Sequence, residues 1–515
     1  MFKNCFLPDI RTAFNSYSPE PLYPLYSGST KHIHPKIIEH IYLSCYDTIK
    51  SHLKGRFITL NNNKITRSSF SGKLGYVLAV AGSAVGLGNI WRFPYLAAKY
   101  GGGIFLFTYL ILMFTFGYAL IVSETALGRM TKRSPVGAFR AFGKSPFLRF
   151  GGWINAIIPM LIVPYYSVIG GWVVKYLIEY LRGNTAALAE DNCFTSFISN
   201  SAETELWFLL FSLIVIAVLF AGVKQGVERV SKIMMPLLVI LALFVAGYAV
   251  TRPGAWEGVK YFLVPNFENF SWMTVVAAMG QMFYSLSIAM GILYTYGSYI
   301  KEDVDIEKST KQVELFDTAI AMLAGLMIIP AVFAFSGGDA NTLKAGPSLM
   351  FITLPKVFAS MGLGMGAGIL FFLLVLLAAL TSAISLAESG VSTFEDQFGW
   401  TRKKSTLFMG AIVILFGSAC ALGFGVLDFV TLLGMSILDF FDFLTNSLMM
   451  PVAALSTCIL VTYIAGLEKI AKEIEQSSEF KRKKMYCIFM KYLAPFCIVI
   501  ILLSSIASVL GWITI

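Results

Sequence analysis

The sequence predicts an all-α polytopic membrane protein with eleven transmembrane helices. The first ten form a 5+5 inverted repeat in which helices 1 and 6 are discontinuous. Three observations predict this. The chain has 515 residues, of which 57% are hydrophobic and 14% charged, with a mean hydropathy of +0.71, more apolar surface than a soluble core can use. Eleven apolar stretches are each long enough to cross a bilayer. Two of them, the first and the sixth, are interrupted by glycine and polar residues at matching places in the two halves.

The spans are expected at 74–98, 104–127, 153–181, 205–222, 229–251, 272–299, 312–336, 365–394, 407–424, 437–464 and 488–513. Lysine and arginine orient them. Loop 128–150 carries Arg129, Lys132, Arg133, Arg140, Lys144 and Arg149, and the loops near Lys224, Lys301, Arg402 and Lys469–Lys491 are also basic. Loop 182–204 sets Glu190, Asp191 and Glu203 against Arg182 alone. The positive-inside rule then places the N-terminus in the cytoplasm and, with an odd number of spans, the C-terminus outside. Loop 337–364 is long and is expected to form short helices on the outer face. Five spans per repeat is an odd number, so the repeats are inverted.

Composition excludes several classes. The net charge of +10 resides in short loops, as in a membrane protein, and does not point to nucleic acid. Seven cysteines show neither CxxC nor CxxH spacing, so neither a disulfide framework nor a zinc site is indicated. The four histidines, His32, His34, His40 and His52, all precede the first span, which leaves none for a proton relay or metal centre in the membrane. No catalytic constellation or phosphate loop supports an enzyme. Residues 1–66 are polar and mixed, without a signal-peptide pattern, and read as a cytoplasmic extension of unassigned role. Residues 67–464 hold the ten-span core, and 465–515 a cytoplasmic loop and the last span.

The first span contains Gly82-Ser83-Ala84-Val85-Gly86-Leu87-Gly88-Asn89, followed by Ile90-Trp91-Arg92-Phe93-Pro94. Glycines serve close helix packing in membranes, but Asn89 and Arg92 in the same segment are costly there and point to function. Unwound backbone at membrane depth is tolerated where it lines a cavity. Its carbonyls can ligate a cation, and the half-helix N-terminus it creates can hold an anion. The sixth span carries the second interruption, Gly280-Gln281-Met282-Phe283-Tyr284-Ser285-Leu286-Ser287-Ile288-Ala289-Met290-Gly291. Two unlike breaks in one chain make an enclosed site, whereas a channel filter is a carbonyl ring from several subunits. The pattern therefore favours a carrier.

The run GSAVGLGNIWRFPYLAAKYGGG, within Gly72–Gly103, resembles the first-helix signature of the neurotransmitter:sodium symporters, in particular their bacterial LeuT-like amino-acid transporters. The resemblance extends from about Arg67 to the chain end and implies the LeuT fold. Eleven spans match the shorter bacterial members. A first sodium site is implied at the Ala84 carbonyl, the Asn89 side chain, Ser285 and Asp317, with the substrate carboxylate as a further ligand. A second is implied at the carbonyls of Gly82, Val85 and Ala378 and the hydroxyls of Thr381 and Ser382. Thr381 and Ser382 can instead bond back to their own helix. Animal members usually have Asn near Asp317 and bind chloride, so the acid implies that no chloride is needed. The alternative for Asp317 is a carboxylate at the helix end near a loop.

The substrate pocket implied by the resemblance has its polar end at Ala84, Leu87, Gly88 and the Tyr166 hydroxyl. Ser382 borders it, and its apolar wall is Ile162, Tyr284, Ser287, Met290 and Leu386. Monoamine transporters carry Asp at the place of Gly86, so glycine implies a substrate with its own carboxylate. Met290 replaces a phenylalanine of the leucine-selective member, and Met packs well on aromatic rings. Large hydrophobic or aromatic amino acids such as tryptophan, tyrosine or leucine are therefore expected. An outer gate is implied at Arg92 and Asp442 above Tyr166 and Tyr284. An inner gate is implied at Arg67 and Asp396, with Phe70, where the family usually has Trp, and Tyr299 nearby. Glu124 is expected as a buried structural acid beside the span 6 break.

These features imply a sodium-coupled symporter in the bacterial inner membrane. It imports an amino acid by alternating access with two sodium ions and no chloride. Its partners are the substrate and the lipid bilayer, with no nucleic acid. The alternatives are a same-fold carrier of another small zwitterion, such as an osmolyte, and an amino-acid sensor without net transport.

Overall fold

The structure, a computed structural model, describes residues 68–337 and 347–509. Span 1 consists of Lys73–Ala84 and a second half from Gly88 to Lys99, bent by 54°. Spans 2 to 5 are Gly103–Thr131, Pro146–Leu181, Ser201–Phe220 and Val223–Val250. Span 6 is Trp272–Ser285 and Ile292–Ser298 around an irregular middle. Spans 7 to 9 are Ile306–Ser336, Gly364–Phe398 and Arg402–Leu422, span 10 starts at Ile437, and span 11 runs from Lys483 to Val509. Among the described residues nine helices are long and apolar enough to cross a membrane, the bent span 1 makes a tenth, and the broken span 6 completes the eleven.

Several helices start before their apolar runs. Span 3 starts at Pro146 rather than 153, span 7 at Ile306 rather than 312 and span 9 at Arg402 rather than 407. Hydropathy registers the membrane portion, whereas the polar first turns are set by caps. Ser145 accepts from Leu148 N at 3.3 Å, and Asp305 accepts from Lys308 N at 2.9 Å. Span 8 continues to Phe398 rather than 394. Span 10 continues past 464 through a wide-turn segment, Leu460–Gly466, into the amphipathic helix Leu467–Glu475. The expected end of span 11 at 513 lies outside the described residues, as do 338–346 of the long loop. The rest of that loop contains the helix Leu349–Ala359.

Spans 3 and 8 pack along each other at the centre, and the first half of span 1 lies against spans 5, 7 and 8. Of the most apolar window, 89% is buried in span 3 and 78% in span 8, against 33% in span 4 and 28% in span 11. The two broken helices are thus held inside a protein wall, which is where non-helical backbone at membrane depth is tolerated.

Candidate functional site

The break in span 1 begins where Val85 turns extended, with φ −75° and ψ 99°. The chain resumes at Gly88 as a wide helical turn, Gly88–Arg92. In span 6, Ser287 and Ala289 take left-handed φ values of 54° and 60°. Such a conformation costs an L-residue roughly 1–2 kcal/mol. Three side chains hold the broken segments. Glu124, fully buried on span 2, accepts from Ala289 N at 3.0 Å. Ser287 Oγ donates to the Ser83 carbonyl at 3.1 Å, and the two serine hydroxyls meet at 2.9 Å. Gln281 Nε2 donates to Gly88 O at 3.0 Å.

A cavity lies between the breaks and span 3. Ala84, Leu87, Gly88, Ile162, Tyr166, Tyr284, Ser287, Met290, Ser382 and Leu386 all line it, joined by Ser83, Gly86, Asn89 and Ile292. Tyr166 OH accepts from Leu87 N at 3.1 Å. A Cβ on Gly86 would stand 2.7 Å from Ser382 Oγ and 2.8 Å from Tyr166 OH, and one on Gly88 would stand 2.4 Å from the Tyr284 ring. Backbone and aromatic side chains therefore approach closely where glycine occurs.

One oxygen cluster sits beside the cavity. Asn89 Nδ2 donates to Asp317 Oδ1 at 2.8 Å and to Ser285 Oγ at 3.0 Å, and Ser285 Oγ donates to the same carboxylate at 2.9 Å. Tyr109 OH donates to Asp317 Oδ2 at 3.2 Å. Asn89 Oδ1 accepts from Gly86 N at 3.2 Å. Asp317 is fully buried in span 7, so it is not a helix-end carboxylate. Asn89, Ser285 and Asp317 are thus in direct contact, and Ala84 lies on the adjoining cavity wall.

A second oxygen cluster joins spans 1 and 8. Ser382 Oγ lies 3.3 Å from Gly82 O, 3.1 Å from Ser83 O and 3.3 Å from Val85 O. Thr381 Oγ1 instead donates within its own helix, to Leu377 O and Ala378 O at 3.1 Å. The two hydroxyls, expected to act alike, therefore differ. Thr381 still closes the group, because its Cβ would stand 3.2 Å from a Cβ on Gly82. Carbonyls, hydroxyls and one carboxylate are hard oxygen donors of the kind an alkali cation needs, but Asn89 turns its Nδ2, not its oxygen, toward Asp317 and Ser285.

Of the residues expected to form gates, the outer pair lies wholly among the described residues. Among the described residues Arg92 and Asp442 form no ion pair. The guanidinium lies over the Tyr284 ring at 5.3 Å, and Asp442 accepts from Asn446 Nδ2 at 2.6 Å. At the other end of the bundle Arg67 lies outside the described residues, and Asp396 accepts from Ser134 N. Phe70 N donates to Tyr299 O at 3.1 Å, and the Phe70 ring meets Tyr296 edge-on at 5.5 Å. Below it, Tyr299 OH and Arg402 Nη1 both donate to the buried Glu388, at 2.8 and 2.7 Å.

Tyr109, Ser83, Ile292 and the Glu388–Arg402 pair escape a reading of the sequence, because their partners lie on other spans. Gln281 carried a signal, as an amide in an apolar span.

The family model described as "Sodium:neurotransmitter symporter family" matches residues 67–206 and 194–511. The chain is similar to the uncharacterized sodium-dependent transporter YhdH of Bacillus subtilis (strain 168), at 34% identity over 442 residues, 85% of this chain and 97% of that one. It is similar to the sodium- and chloride-dependent glycine transporter 2 of Xenopus laevis at 27% identity, over 85% of this chain and 64% of that one. Among solved structures it resembles MhsT in complex with L-phenylalanine, with a TM-score of 0.77 and 36% identity, over 85% of this chain and all of that one.

Proposed function

Because this chain belongs to the sodium:neurotransmitter symporter family, we propose that it imports an α-amino acid with a large hydrophobic or aromatic side chain, coupled to two sodium ions and independent of chloride. The observation that carries this reading is the division of the cavity by polarity. The second half of span 1 begins at Leu87–Gly88, and the N-terminal end of a half-helix suits a carboxylate. Across from it stand acceptors. Ser287 spends its proton on Ser83 O, so the Ser83–Ser287 pair offers oxygen lone pairs to an ammonium. Ile162, Met290, Ile292 and Leu386 leave an apolar side for the side chain. The L-phenylalanine bound to MhsT supports the same class of substrate.

Asn89, Ser285 and Asp317, with Ala84, are the first sodium site in this reading. Gly82, Val85, Ala378, Thr381 and Ser382 are the second. Asp317 supplies the negative charge that chloride supplies elsewhere in the family. Arg92 and Asp442 gate the outer side, and Arg67 and Asp396 the inner. Alternating access then proceeds by rocking of spans 1 and 6. Each charge falling through 100 mV releases about 2.3 kcal/mol, so two sodium ions with a zwitterion release about 4.6, a concentration ratio on the order of a thousand.

The same reading places the chain in a bacterial inner membrane, with residues 1–66 cytoplasmic, 67–464 as the transport core and 465–515 as a cytoplasmic loop and last span. No catalytic step is part of it. The test is uptake of radiolabelled tryptophan, tyrosine and leucine into proteoliposomes under an inward sodium gradient, with and without chloride, beside an Asn89→Ala control. Sodium-driven uptake that ignores chloride and is lost in the control is the expected result. Folded protein that takes up none of the three would overturn the reading.

A further inference from the structure

Between spans 5 and 6 the chain forms a short helix, Ala255–Leu263, and a single turn, Phe267–Asn269. At about 100° per residue the helix divides into three sectors. Ala255, Gly258, Val259 and Phe262 are buried, and Phe262 meets Phe93 of span 1 edge-on at 6.2 Å. Glu257 and Lys260 pair with each other at 3.0 Å and are exposed. Trp256 and Leu263, seven residues apart, make the third sector.

That third sector continues along the chain. Trp256 is 63% exposed, Val264 60%, Phe267 68% and Trp272 79%. An isolated exposed apolar side chain needs no explanation. Here they cluster in one connection between two membrane spans. Phe267 meets Phe107 at 6.3 Å, and Phe107 is itself on the exposed side of span 2. The patch is therefore continuous with the lipid-facing surface of the bundle. Tryptophan with its apolar ring and polar N–H is the residue of the membrane–water interface. A helix with one apolar and one charged exposed sector is suited to lie in that interface.

The opposite side of the same segment holds the end of span 1. Tyr261 OH donates to Ala98 O at 2.6 Å, and just past the segment, in span 6, Thr274 Oγ1 donates to Tyr100 O at 3.3 Å. Gly102 bridges antiparallel to Pro265. Gly102 has φ +61°, and a Cβ there would stand 2.1 Å from Tyr261 O, so the close approach needs glycine.

We propose that the segment Ala255–Trp272 is an anchor in the interfacial layer of the bilayer, and that through it the bilayer fixes the end of span 1 that carries Arg92.

Two measurements test this on the full chain in liposomes. The first is tryptophan quenching by phospholipids brominated near the headgroup or deep in the chain, comparing the native protein with Trp256→Phe. The emission lost in the variant is expected to be quenched by the shallow bromines and spared by aqueous iodide. Quenching of that component by iodide, or by neither agent because a second copy covers it, would overturn the proposal. The second is hydrogen exchange of a Trp256→Ser/Phe267→Ser variant, whose side chains are exposed and support no packing in the core. Exchange at residues 97–103 is expected to quicken about tenfold, the effect of losing roughly 1.4 kcal/mol. Unchanged exchange there would refute the link to span 1.

Discussion

Asn89 and Asp317 meet at 2.8 Å, amide to carboxylate, although they lie on spans 1 and 7 and both are fully buried. The carboxylate has three protein donors, from Asn89, Ser285 and Tyr109. If it is the resident anion of the first sodium site, Asp317→Asn removes that charge and leaves the donors. Charge-assisted hydrogen bonds contribute roughly 1.5–3 kcal/mol each, so sodium-dependent amino-acid binding in chloride-free buffer should fall at least about tenfold. Chloride should restore part of it. Equilibrium binding with chloride exchanged for gluconate measures both effects, and a variant indifferent to chloride would show that Asp317 plays no such part.

Tyr166→Phe should weaken substrate binding without unfolding the protein. The variant deprives the buried Leu87 N–H of its acceptor at 3.1 Å. An unsatisfied buried donor costs about 1–3 kcal/mol. The expected loss in affinity is about five- to 150-fold, read by titration calorimetry or scintillation proximity.

Gly88→Ala tests how closely the Tyr284 ring approaches the break in span 1. Its Cβ would lie 2.4 Å from Tyr284 Cδ1, so the ring must move. Overpacking typically costs about 1–3 kcal/mol. Because the displaced ring lines the cavity, weaker substrate binding should accompany this loss of thermal stability. Adding Tyr284→Ala should remove the collision and leave Gly88→Ala without further effect on the fold.

Glu388→Ala should destabilise the protein strongly. It strips the fully buried carboxylate from Arg402, whose side chain is 21% exposed, and from Tyr299. Breaking one half of a buried pair costs about 3–5 kcal/mol. Replacing both, as Glu388→Ala/Arg402→Met, should cost less than the single change. Thermal unfolding in detergent would show the order, and a double variant less stable than the single would contradict it.

Much of this arrangement was legible in the sequence because membrane chemistry restricts what can occur there. Gly82, Gly86 and Gly88 beside Asn89 mark the break in span 1 on that ground alone, whereas the ten pocket residues, which line one cavity, are implied only by the family resemblance. What was illegible depended on partners from distant spans. Nothing local to Tyr109 says that Asp317 lies within 3.2 Å. Nothing local to Thr381 and Ser382 says which of two adjacent hydroxyls bonds back to its own helix and which crosses to span 1. Helix starts were misread for a different reason, since caps such as Asp305 lie outside the apolar run.

The reach of Ser382 to three carbonyls has a consequence in proton counting. A hydroxyl owns one hydrogen and can direct it at one acceptor at a time. Ser83 O also accepts from Ser287, so at any instant at least one of the oxygens of Gly82 and Val85 lacks a side-chain hydrogen from either serine. The seam between spans 1 and 8 is an acceptor surplus written into the backbone. A positive charge that settles there answers a standing shortage of hydrogens, and it need not break any bond that the protein could otherwise complete.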